Sequence, residues 1–285
     1  MRRNLAPLLL HGILVLSYLL GAAGAGAGEP TTRLYLVGVG PGDPDLLTFR
    51  AARIIQKADL ICCPEEFPKR YAEQLSGKET FPVPWWLSRY YGKKCSEFQG
   101  DRRRECEEAA RIRQQFVVRV RSAIERGKTV AILDSGDPLV YGPYAWCLEE
   151  FEDLNPVVVP GVSCFNAANA ALRKGVTTSA HTRSVILTAD YVSDHSDTID
   201  KLAAHRCTMV IFTMGADLPG CIGKLSARYG PDTPAAIVKY AGHAEKQQVI
   251  RATLGTLLKR IGDEPLPFEY LLYVGDFLTY RYQRP

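Results

Sequence analysis

The 285-residue chain sets 35 Lys and Arg against 31 Asp and Glu, a formal charge of +4 at pH 7. With 46% hydrophobic and 23% charged residues it is globular rather than disordered, long enough for two modest α/β domains or one large one. Its basic residues are dispersed. The one dense run, Arg102–Arg104, is followed at once by Glu105, Glu107 and Glu108, a solvated helix surface that excludes a nucleic-acid-binding face.

In chain order, residues 1–28 come first. Arg2 and Arg3 precede an apolar stretch from Leu5 to Leu20, then GAAGAGAGEP, the order of a secretory signal peptide or N-terminal anchor. Sixteen residues broken by Pro7, His11 and Gly12 make a poor permanent span, for which about 20 apolar residues are wanted. Export or membrane tethering is therefore expected, with membrane contact through this segment alone; a misassigned start codon would instead make the protein cytoplasmic. Eight cysteines include no C-x-x-C and no zinc-finger spacing, so no metal is expected. Cys95 and Cys106 flank a polar loop and should pair if the protein is exported.

Leu34–Val39 reads as a strand and Pro44 to about Lys57 as a helix, with Leu47, Ala51, Ile54, Ile55 and Ala58 on one face. Asp59–Cys63 is a second strand ended by Pro64. Residues 65–100 read as an irregular loop rich in aromatics (Trp85, Trp86, Tyr90, Tyr91), the kind of long loop that is usually functional. A helix over about 101–126 leads to strand Thr129–Asp134. Helix Pro143–Phe151, strand Val157–Val159 and helix Ser163–Arg173 follow. This alternation predicts a parallel sheet in an N-terminal α/β domain, residues 33–178. SVILTA, TMVIFT, AAIVKY, QQVIRATLGTL and FEYLLYV then follow in quick succession, predicting a mixed sheet in a C-terminal α/β domain, residues 179–285.

Two strand-to-turn segments, LYLVGVGPGDPD (34–45) and TVAILDSGDPLVYG (129–142), carry the strongest functional signal. In open α/β sheets, loops of this kind lie at the carboxyl ends of strands, where ligands bind. Gly38, Gly40 and Gly42 lack the third glycine of a dinucleotide fingerprint, which would stand at Asp43, and no P-loop pattern occurs. In both loops Asp-Pro suits an N-cap with proline at the first helical position. A carboxylate on that positive helix end argues against a phosphate ester as ligand.

GVGPGDPDLLTFRAARIIQKAD, SGDPLVYG and VPGVSCFNAANAAL, followed in order by TMVIFTM and PAAIVKYAGHAEKQQVIRATLGTL, resemble the signature segments of the tetrapyrrole (corrin/porphyrin) methylase family over residues 33–280. GDPLVYG and PGVSCFNAA are closest to precorrin-2 methylases, TRSVILTADY and QQVIRATLGTL to precorrin-4 methylases. The resemblance implies a two-domain tetrapyrrole methylase-like α/β fold and a homodimer. It implies transfer of a methyl group from S-adenosylmethionine to a carbon of a tetrapyrrole precursor. By the same resemblance the cofactor contacts fall on Pro41, Ser135, Gly136, Asp137, Val140, Ser163, Cys164, Met214 and Ala241. Asp137 is expected to combine capping with ligand contact.

Departures from the family pattern matter for mechanism. A strand-end aspartate proposed as general base in uroporphyrinogen-III C-methyltransferases falls here on Pro64, which cannot accept a proton; Glu65 or Glu66 is the substitute, or both are ordinary loop acids. A flat ring edged with carboxylates asks for stacking faces and cations. In the aromatic loop these are Trp85, Trp86, Tyr90 and Tyr91 with Arg89, Lys93 and Lys94, of which Trp86 and Arg89 are the primary substrate-binding candidates. An exported tetrapyrrole-binding protein that keeps the fold without methylating is the alternative.

Overall fold

The computed structural model describes residues 32–190, 196–215, 217–263 and 265–282. The leader-like segment therefore lies outside the described residues. Among those described, no helix is long and apolar enough to cross a membrane.

Five short strands, β1 (Leu34–Gly38), β2 (Leu60–Cys63), β3 (Glu79–Pro82), β4 (Val130–Asp134) and β5 (Val157–Val159), form a parallel sheet in the order β3-β2-β4-β1-β5. β2 and β4 are buried along their whole length, which explains their continuous apolar runs. One face packs Leu36, Cys62 and Ile132 against Phe116, Val120 and Ala123 of the 26-residue helix Gly100–Glu125. The other packs Val37, Ile61 and Leu133 against Ala51 and Ile55 of helix Phe49–Lys57. The predicted apolar face of that helix thus faces the core.

A second sheet holds β6 (Val185–Ala189), β7 (Thr208–Phe212), β8 (Pro234–Lys239), β9 (Gln248–Thr253) and β10 (Tyr270–Val274) in the order β6-β7-β10-β8-β9. Only β6 and β7 run parallel, so this sheet is mixed as expected. Both sheets belong to one compact unit, Arg33–Pro285. Helix Cys164–Leu172 follows the first sheet in sequence but packs Ala168 and Leu172 on the second, against Val210, Ala236 and Tyr273.

Three local expectations are corrected. The helix expected from Pro44 is a 3-10 turn, Pro44–Leu46, followed by Phe49–Lys57, whose true cap is Thr48: its side chain accepts from the Ala51 amide at 3.1 Å. The helix expected from Pro143 begins only at Cys147, because the Tyr144 amide donates to the Asp134 carboxylate instead of entering a helical ladder. Residues 65–100 are not irregular throughout. They contain helix Phe67–Arg70, 3-10 turns Trp85–Tyr90 and Cys95–Glu97, and the edge strand β3, whose largely exposed ETFP lacks an apolar run because it pairs on one side only. Cys95 and Cys106 form a disulfide that ties this segment to the long helix.

Candidate active site

The loops after β1 and β4 leave the same edge of the first sheet from neighbouring strands and join each other. The Gly136 amide donates to the Gly40 carbonyl at 2.9 Å, and the Gly40 amide returns the bond at 3.3 Å. The loop after β5 closes in from the other side. A Cβ on Gly161 would stand 2.0 Å from the Gly136 carbonyl oxygen and 2.8 Å from the Gly38 carbonyl carbon, so three backbones meet where only glycine fits. From the second sheet, the loop after β8 reaches the first: the Asp43 amide donates to the Gly242 carbonyl at 2.9 Å.

Beneath this junction lies a cavity of about 310 Å³. All nine residues named from sequence border it: Pro41, Ser135, Gly136, Asp137, Val140, Ser163, Cys164, Met214 and Ala241. They come from five separate loops spanning both sheets. Three positions on the cavity wall, two of them additional to these nine, have unusual backbone conformations. Tyr141, Met214 and Tyr240 border it with φ of 60°, 29° and 52°, a sparsely populated region for non-glycine residues that clusters at functional sites.

Side-chain roles at the site differ from expectation in several places. Asp137 caps no helix. One carboxylate oxygen accepts from the Leu139 amide at 2.9 Å, an Asx-type turn, and the other from the Gly161 amide at 3.2 Å. Asp43 precedes the 3-10 turn without a side-chain cap bond. The case against phosphate therefore loses its premise of two carboxylate-capped helices. Ser163 does cap helix Cys164–Leu172, accepting from the Phe165 amide at 3.2 Å. Burial pushes the neighbouring Cys164 thiol up to about 11, so it stays protonated at neutral pH.

Of the two acids after Pro64, Glu66 borders the cavity and Glu65 does not; both are exposed. In the aromatic loop Trp85, not Trp86, reaches the cavity. The 3-10 turn directs Leu87 and Tyr90 inward, and Trp86 packs on their cluster. Arg89 also stands off the cavity wall, its guanidinium 4.6 Å from the Trp85 ring centre, and Tyr91 lies on Trp146 at 5.0 Å. Lys93 and Lys94 are exposed and do not border the cavity. At the mouth, Trp85 faces Phe268, a residue of the second sheet's half, with ring centres 5.8 Å apart.

Sequence reading missed two features. Arg70, the guanidinium on the cavity wall, lies 3.9 Å from Glu269, whose other oxygen is 3.8 Å from His243 Nε2; His243 Nδ1 in turn lies 3.6 Å from Asp43. This chain of polar side chains crosses between the two halves, and no local pattern links residues 43, 70, 243 and 269 to one another. The second is Asp134, the last residue of β4, which is 0% exposed and borders the cavity. Burial pushes its carboxyl up to about 8, against the pull of the Tyr144 and Ser135 amides. Its signal was available: an acid ends a strand whose other four residues, Val130, Ala131, Ile132 and Leu133, are apolar.

A siroheme synthase of Stutzerimonas stutzeri is 32% identical over 278 residues, 92% of this chain but 53% of that protein, so the chain spans about half its length. A precorrin-4 C(11)-methyltransferase of Pseudomonas aeruginosa is 30% identical over 252 residues, covering 86% of this chain and 90% of the relative. A solved cobalt precorrin-4 methyltransferase shares the fold with a TM-score of 0.68 at 23% identity, over 86% of this chain and 95% of its own. The family model for tetrapyrrole (corrin/porphyrin) methylases matches residues 33–258. The five cavity loops all fall inside that match, and the chain belongs to the tetrapyrrole (corrin/porphyrin) methylase family.

Proposed function

We propose that this chain is a carbon methyltransferase that moves a methyl group from S-adenosylmethionine to a tetrapyrrole of the precorrin or uroporphyrinogen type. The observation that carries it is the meeting of Pro41, Asp137, Ser163, Met214 and Ala241, 200 positions apart in sequence, on one cavity. The cavity fits the cofactor. Its glycine junction brings three backbones together at one side, and Tyr141, Met214 and Tyr240 border it in left-handed conformations. Pro41, Val140, Phe212 and Met214 supply apolar wall beside the polar Ser135 and Ser163. That mixture suits a nucleoside with an aliphatic sulfonium arm, and S-adenosylmethionine supplies a methyl group on an excellent leaving group.

What the protein must add is alignment and exclusion of water, and positioning of this kind contributes roughly 7–11 kcal/mol in favourable cases. Ser135, Gly136, Asp137, Val140, Ser163, Cys164, Met214, Ala241 and Pro41 hold the cofactor. Trp85 and Phe268 at the mouth are the stacking faces for a broad ring, and Arg70 is the cation for one of its carboxylates. Arg89 stacks on Trp85 and Trp86 packs into the N-terminal core, so neither borders the ring site. Export or tethering, proposed from the leader, gains support from the Cys95–Cys106 bridge, a bond of oxidising compartments.

Calorimetric titration of the full chain with S-adenosylhomocysteine, followed by methyl transfer to uroporphyrinogen III and to cobalt-precorrin-4, tests this reading. Binding with transfer to one ring is expected. Absence of binding overturns it, and ring and cofactor binding without transfer would make the chain a tetrapyrrole-binding protein instead.

A further inference from the structure

β4 delivers an ionisable group to the cavity in an unusual state. The Oδ2 atom of Asp134 is walled in: it accepts from the Tyr144 amide at 3.2 Å, and a Cβ on Gly142 would stand 2.6 Å from it. Oδ1 is buried and has no hydrogen-bond partner. Buried carboxylate oxygens are nearly always satisfied, so an orphan beside a ligand cavity calls for an explanation. The ionisable groups acting on it are Asp137 on the same loop and, from the segment and helix that follow, Tyr144 and Cys147; all are acids, and none supplies a compensating positive charge. The other acids on the wall lack this isolation: Glu66 and Glu269 are solvent-exposed, and both oxygens of Asp137 are spent on backbone amides.

We infer that Asp134 is the catalytic proton acceptor of the methyl transfer, receiving on Oδ1 the proton that the ring gives up. This rests on the methyltransferase reading above. When a ring carbon attacks, its electron pair forms the new carbon–methyl bond while the sulfur–methyl pair stays on sulfur. The positive charge of the sulfonium then resides on the ring, which becomes neutral by releasing one proton. A base works best with a pKa near the ambient pH, and Asp134, held up to about 8 by burial, is closer to neutrality than a solvated carboxylate. The same burial means that at neutral pH the free protein carries Asp134 largely protonated. A sulfonium charge in the cavity favours the ionised form, whereas the neutral thioether left after transfer does not. Cofactor charge and base ionisation are thereby coupled: the base is armed when the methyl donor is present.

The test uses the full chain and the isosteric substitution Asp134→Asn. Calorimetry at pH 7 in buffers of different ionisation enthalpy should show proton release when S-adenosylmethionine binds and none when S-adenosylhomocysteine binds. Asp134→Asn should bind both without proton release, with its affinity for S-adenosylhomocysteine unchanged. Its kcat should fall about 100-fold or more, the usual contribution of a general base. The wild-type kcat/KM should climb with pH and level off above about 8, while kcat at saturating donor levels off at lower pH, and the variant should lack both rises. A variant with near wild-type kcat, or one that keeps the proton release, overturns the inference while leaving the methyltransferase reading intact. If Asp134→Asn fails to fold, equal proton release by the two ligands on wild type overturns it. A wild type that neither binds the donor nor methylates sinks the reading and the inference together.

Discussion

Two loops leave the first sheet with the same three residues, Gly42-Asp43-Pro44 after β1 and Gly136-Asp137-Pro138 after β4, and they end in different structures. The first turns outward to the second sheet. A Cβ on Gly42 would stand 2.2 Å from the Gly242 carbonyl oxygen, and the Asp43 carboxylate accepts from the Ala244 amide at 2.7 Å. The second turns back on its own sheet, spending its Asp137 oxygens on Leu139 and Gly161. One loop joins the halves of the molecule and touches the cavity only through Pro41; the other lines the cavity from Ser135 to Tyr141. A short motif therefore sets how sharply the chain turns, while the strand next door decides what the turn grips.

Substitutions in the two loops can break that contrast. The largest effect is expected at Asp134→Asn, at the root of the second loop. Wild-type Asp134 holds its proton to about 8 where the ordinary carboxyl loses it near 3.8, so the unfolded chain releases a proton that the folded chain keeps. Stability from this group is full below the lower value and falls as pH rises towards the higher one, by at most about 1.4 kcal/mol per pH unit. Asparagine does not titrate. Urea melts at a series of pH values should show the variant gaining on wild type steadily from about pH 4 to pH 8 and no further above it. Parallel curves would mean that Asp134 titrates normally.

Next in size, Gly161→Ala drives a methyl group into the Gly136 and Gly38 backbones and should cost about 1–3 kcal/mol together with S-adenosylhomocysteine binding. Full affinity in a folded variant would place the ligand elsewhere. The smallest and most discriminating pair is Asp137→Ala against Asp43→Ala. Each removes carboxylate bonds to backbone amides and should cost about 1 kcal/mol. Only Asp137→Ala should weaken S-adenosylhomocysteine binding; equal losses of affinity would erase the distinction between a joining loop and a cavity loop.

Much of this architecture was legible before any coordinates. The buried runs LICC and VAILD announced central parallel strands because burial on both faces leaves no polar alternation to obscure them. The apolar face of Phe49–Lys57 followed from helical spacing alone. Pro41, Ser135, Gly136, Asp137, Val140, Ser163 and Cys164 border one cavity because strand-end loops of a parallel sheet share an edge, while Met214 and Ala241 reach it from the mixed second sheet. Illegible were β3, whose edge position frees it from any apolar pattern, and the rotation of the 85–90 turn, which brings Trp85 to the cavity and Trp86 to the core.

Sequence by itself determined that two α/β layers form, where their buried strands lie and which loops carry the site, since periodicity and backbone sterics act over a few residues. Tertiary structure alone decided the chemistry of individual side chains. Asp43 and Asp137 share one local motif but meet different amides, and Asp134 became a high-pKa acid only because the fold buries it, against the pull of the Tyr144 and Ser135 amides. Electrostatic state depends on how much water neighbouring elements exclude, and no stretch of a few residues encodes which elements those will be.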